Sequence, residues 1–124
     1  MKRILLSFLM IAMSTFAFAQ QAVAVSKADF QAKEDQLNAA IAANKADVAH
    51  ALMTDLNHKM TSELAYTKMQ IAQAQTQADK DAGYARHRHQ TTDYSHAINL
   101  ASDNIITHGA DIKAALDSFA ATLQ

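Results

Sequence analysis

Not one proline interrupts this chain of 124 residues, and its only glycines are Gly83 and Gly109. Proline and glycine stop helices most reliably, the first by lacking an amide donor and the second by leaving the backbone too free. With both so scarce, and with Ala, Gln, Asp and Leu abundant beyond residue 19, helix is favoured nearly everywhere. The apolar–polar alternation that builds strands is missing. An all-α fold is therefore expected.

The first twenty residues, MKRILLSFLMIAMSTFAFAQ, set Lys2 and Arg3 before an apolar run from Ile4 to about Met13, with Ala17 and Ala19 ahead of Gln20. Basic, apolar and small-residue segments in that order make a secretory signal peptide. The uncharged stretch from Ile4 to Ala19 is shorter than the roughly 20 residues that span a bilayer, so cleavage after Ala19 is expected in place of a retained anchor. Residues 1–19 are then the signal. Residues 20–124 form a single helical domain destined for the periplasm or the outside of the cell, with no stable membrane anchoring after cleavage. Losing Lys2 and Arg3 leaves nine basic against 12 acidic side chains and takes the formal charge from −1 to −3. Such a balance does not suit a nucleic-acid partner, since the one basic cluster is Arg86-His87-Arg88-His89. The absence of cysteine excludes disulfides, thiol catalysis and a lipidated N-terminus.

Capping residues and apolar periodicity divide the domain. Ser26-Lys27-Ala28-Asp29 starts a helix over about residues 26–43, because Ser26 can accept from first-turn amides and Asp29 complements the positive helix end. Phe30, Leu37 and Ile41 form its buried stripe. Asn44-Lys45-Ala46-Asp47 repeats that logic, and the apolar stripe beyond it, through Met53, Leu56, Met60, Leu64 and Ile71, lies about 100° further round. A turn at Asn44 follows. The second helix is expected over about 45–81, ended by Gly83, with residues 82–91 as the next turn. The third, over about 90–123, carries a heptad seam of the coiled-coil kind: Tyr94, Ile98, Ala101, Ile105, His108, Ile112, Ala115, Phe119 and Thr122 follow 4,3 spacing. Gly109 reads as a soft point inside it.

Short connections make successive helices antiparallel, so the expected architecture is a long antiparallel hairpin with a shorter N-terminal helix packed at its open end, similar to a three-helix bundle. In that register Met53 faces Phe119, Ile71 faces Ala101 and Ala78 faces Tyr94. The half of the hairpin near Gly83 stays uncovered and Ala-rich. Tyr66, Met69, Ile71, Tyr84 and Leu100 are available there for a protein partner or a second copy of the chain.

Histidine is the one residue type that invites chemistry. Asp47 with His50, Asp55 with His58, and Asp93 with His96 are spaced i, i+3, a pattern that supplies ligands in di-metal bundles but also arises on an ordinary solvated helix face. His89, Asp93 and His96 share one face and make a candidate zinc or copper site, against which stands the repulsion of Arg86 and Arg88. His108 is the only histidine on the seam, level with Glu63 and Met60. That grouping reads either as a ligand point for haem or another small cofactor, or as a buried imidazole satisfied by Glu63. No phosphate loop, nucleophile elbow or His-Glu-x-x-His occurs, which argues against an enzyme. Two functions remain: an interaction or structural module that needs no cofactor, and a periplasmic metal- or cofactor-binding bundle that uses its histidines.

Overall fold

The computed structural model describes residues 23–124, so the signal segment assigned to residues 1–19 lies outside the described residues. Those residues form four helices and no strand: α1 (Lys27–Ala42), α2 (Ala46–Gln73), α3 (Gln77–Asn104) and α4 (Gly109–Ala120). None of these helices is long and apolar enough to cross a membrane.

Each boundary has a local cause. Ser26 Oγ accepts from Asp29 N at 3.3 Å and opens α1. Asn44 closes it in the left-handed region, with φ at 58°. There Lys45 N donates to Ala40 O at 2.9 Å and Asn44 N to Ile41 O at 3.0 Å, the paired bonds of a Schellman motif. The next reversal is not at Gly83. After Gln73 the chain turns extended at Ala74, and Thr76 Oγ1 accepts from Asp79 N at 3.1 Å to start α3. Thr76-Gln77-Ala78-Asp79 thus repeats the grammar of Ser26-Lys27-Ala28-Asp29, and that cap moves the turn forward from residues 82–91 to 74–76.

A second correction concerns the expected helix over 90–123, which is two helices. Asn104 Oδ1 accepts from Ile106 N at 3.2 Å and Thr107 N at 2.9 Å, diverting amides that a continuing helix would need. Residues 105–108 turn, and Gly109 opens α4 instead of softening a longer helix. The architecture is consequently a four-helix bundle and not a three-helix one.

All four neighbouring pairs run antiparallel. Lys33 meets Asp55 across α1 and α2 at 3.4 Å, and Val25 N reaches Glu63 Oε2 at 2.9 Å. Between α2 and α3, Thr67 Oγ1 donates to Gln90 Oε1 at 2.8 Å, and Met53 lines one groove with Ile98 and Ala101. Met53 therefore does not face Phe119, nor Ile71 Ala101, and Ala78 belongs to the same helix as Tyr94. Phe119 instead stacks on Phe30, ring centroids 5.5 Å apart, which closes α4 onto α1.

The core sits wholly in the half where four helices meet. Phe30, Leu37, Leu56, Met60, Ile112, Leu116 and Phe119 are fully buried there. Of the described residues between Met60 and Ala97, no apolar one is buried. Among the described residues, what continues beyond Glu63 and Arg86 is α2 against α3, with Gln124 at the border of their groove. Gly83 lets them approach closely, since a Cβ at that position would lie 2.6 Å from Ile71 Cγ1.

Candidate functional site

The densest set of polar contacts marks the level at which four helices become two. Glu63, on the inner face of α2, is 1% exposed. Its Oε2 accepts from Val25 N, and its Oε1 accepts from Arg86 Nη2 at 2.8 Å. Arg86 also donates through Nη1 to Gln70 Oε1 at 3.0 Å and through Nε to Thr122 O at 2.9 Å. Gln90 Nε2 donates to Thr122 Oγ1 at 3.0 Å while its Oε1 accepts from Thr67. One guanidinium thus ties α3 to α2 and to the end of α4, and through Glu63 to the segment before α1. Burial pushes the Glu63 carboxyl above its ordinary range, while the Val25 amide and Arg86 pull it back. Each guanidinium nitrogen of Arg86 has a protein partner in this clasp, which makes it a closure for the bundle.

That arrangement corrects the grouping of His108 with Glu63 and Met60. His108 lies at the opposite end of the bundle, as the residue preceding α4, and its Nε2 is 2.7 Å from Asp103 Oδ2. Glu63 is held by Arg86, and Met60 is core. The displacement follows from the two misplaced turns: moving the hairpin tip to 74–76 and adding a reversal at 105–108 shifts every partner of His108.

The histidine constellation is assembled only in part. His89 Nε2 lies 3.0 Å from Asp93 Oδ2 and 2.9 Å from Ser118 Oγ on α4. His96 lines a separate surface depression with Thr91, Thr92, Ser95 and Asn99. Among the described residues no three His, Asp or Glu side chains converge to hold a metal ion. His89, Asp93 and Ser118 look like a relay by residue type, but both partners sit on the same ring nitrogen. A relay needs the carboxylate on one nitrogen and the hydroxyl on the other. Asp55 turns to Lys33 and not to His58. His87 is half-buried, and that burial, together with Lys68, lowers its pKa below the ordinary histidine value.

Among the described residues three large apolar side chains stand exposed, Val23, Val48 and Tyr84, and the last lies on the two-helix half. Tyr84 is 55% exposed, and Tyr66, Met69 and Ile71 are half-buried, with the Tyr66 hydroxyl accepting from Gln70 Nε2 at 3.0 Å. Leu100 is not part of this surface, because it packs against the core in the four-helix half. A groove of about 410 Å³ runs between α2 and α3 just past the end of the chain, bordered by Gln70, Gln73, Asp79, Gly83, Arg86 and Gln124.

The roles of Arg86 and Gln90 escape a reading by sequence because residues 82–91 pass for a loop, and with them go the partnerships of Thr67 and Thr122. The signal for them is the Thr76 cap, which places Arg86 on a helix facing back toward Glu63. No family model, no curated protein and no solved structure matches the chain.

Proposed function

We propose that this is an exported helical module, not an enzyme, that acts by protein contact through the uncovered half of the α2–α3 hairpin, residues 64–85. The observation that carries this reading is the asymmetry of burial. The core ends at the Glu63–Arg86 level, yet two helices continue beyond it without a buried apolar side chain among them. A two-helix hairpin gains little from apolar burial, at about 25 cal/mol per Å², against the entropy of ordering it. A covering partner supplies the missing area. Tyr84, an amphipathic side chain of the kind enriched at interfaces, stands in that region with more than half its surface free.

The test places a photo-crosslinking residue at Tyr84 or, as a control, at exposed Val48 in the four-helix half, followed by crosslinking in the native compartment and by native mass measurement. Adducts or dimers that depend on the Tyr84 position are expected. A strict monomer that forms no adduct from either position, with the amides of residues 64–85 as protected from hydrogen exchange as those of α4, would refute it.

A further inference from the structure

The contact between α1 and α4 contains an acid where a pair of apolar residues would be ordinary. Glu34, one turn beyond Phe30, is 3% exposed, and it belongs to none of the ion pairs among the described residues. Its Oε1 is buried and no donor reaches it. In the antiparallel register set by Phe30 on Phe119 and Ile41 beside Gly109, Asp117 of α4 falls across from Glu34, and its carboxyl is paired on the outer side with Lys113 Nζ at 2.7 Å. Asp35 adds a further negative charge from α1 itself. Lys33, the neighbouring cation on α1, is paired with Asp55 of α2.

Two carboxyl groups at one contact, with one lysine on the solvent side, cannot both ionise cheaply. A buried carboxyl oxygen that accepts from nothing is satisfied when the group is protonated and donates. Asp117, already tied to Lys113, is the acceptor in place. We propose that Glu34 and Asp117 form a proton-bridged latch between α1 and α4, closed while Glu34 is a neutral donor and loosened as the pH rises.

The electrostatics agree with that geometry. Burial, then Asp117, pushes Glu34 up to about 8, while the Glu34 hydrogen bond, then Lys113, holds Asp117 below its ordinary range. Once α1 swings free, Glu34 returns to the ordinary 4.5. The closed form therefore binds a proton that the open form releases, and the opening constant rises about tenfold per pH unit between roughly pH 5 and pH 8, then levels off. What opens is the seam that covers the Phe30–Phe119 stack, since α1 keeps a separate tie to α2 at Lys33 and the segment before it another at Val25. This device is independent of the distal hairpin.

The experiment uses residues 20–124. The Glu34 side-chain carboxyl is followed by carbon NMR from about pH 4 to pH 9.5, and hydrogen exchange of the α1 and α4 amides is corrected for intrinsic rate. A Glu34 midpoint near 8 is expected, with amide protection across α1 falling steadily from about pH 5 to pH 8. Glu34→Gln, which keeps a donor for Asp117 but cannot ionise, should flatten that dependence. A Glu34 midpoint near 4.5, or a Glu34→Gln protein with the wild-type pH dependence, overturns the proposal. If Glu34→Gln does not fold, the wild-type titration alone decides the matter.

Discussion

Replacing Arg86 with alanine would leave the Glu63 carboxylate buried with a single remaining donor, the Val25 amide. Removing one partner of a buried pair ordinarily costs about 3–5 kcal/mol. Here protonation sets a ceiling. Neutralising a carboxyl of ordinary pKa 4.5 at pH 7 takes about 3.4 kcal/mol, at about 1.36 kcal/mol per pH unit. Beyond that, Glu63 simply takes up a proton. The Arg86→Ala penalty should therefore be about 3 kcal/mol at pH 7, in urea unfolding at about 25 °C. It should shrink by about 2 kcal/mol at pH 5, where the proton is nearly free. Glu63→Gln introduced into the Arg86→Ala background should recover most of the loss at pH 7, because the stranded charge is gone. The reasoning fails if the penalty is the same at both pH values, or if Glu63→Gln gives no relief. Either result would mean that Arg86 acts through packing of its stem and not through its charge.

Other consequences are as direct. Gly83→Ala gains about 1 kcal/mol of helix propensity but forces a methyl to 2.6 Å from Ile71 Cγ1, an overpacking worth about 1–3 kcal/mol. The net effect should be faster hydrogen exchange over residues 64–85, restored by Ile71→Ala in the same chain. Phe119→Ala, at a fully buried ring stacked on Phe30, should cost about 3–5 kcal/mol in thermal or urea unfolding. Thr76→Ala removes the α3 cap and should cost about 1 kcal/mol, read as fraying of the first turn of α3. Because Glu34 is raised, its contribution to global stability should be complete below pH 4.5 and decline toward pH 8, whereas depressed Asp117 acts oppositely in acid. Melting temperature should therefore be highest in mildly acidic solution.

Much of the secondary structure was legible because its causes are local. Ser26 and Asn44 act within a few residues, and both boundaries of α1 follow from them. The Thr76 cap is equally local, but Gly83 is the more conspicuous landmark and draws the expected turn toward itself. Glycine ends a helix where a left-handed residue is required, whereas Gly83 keeps a helical backbone and is needed for the close approach of Ile71. The 4,3 seam misled for another reason. Ala101 before the break, Ile105 at its start, and Ile112, Ala115 and Phe119 after it are all buried. A four-residue turn preserved the phase of the pattern, so periodicity could not distinguish a continuing helix from one that doubles back.

Scarcity of proline and glycine, together with apolar residues at helical spacing, was enough to decide that this chain is helical and which faces turn inward. Such choices depend on backbone freedom and on neighbours within two turns. The partners of each inward side chain were decided in three dimensions. Whether Glu63 meets His108 or Arg86 depends on where α3 begins, and whether Glu34 meets water or Asp117 depends on α4 turning back over α1. Moving one turn along the chain changes every contact across the hairpin and no residue within it. The helices are therefore a property of short segments, and the clasp and the latch are properties of their register.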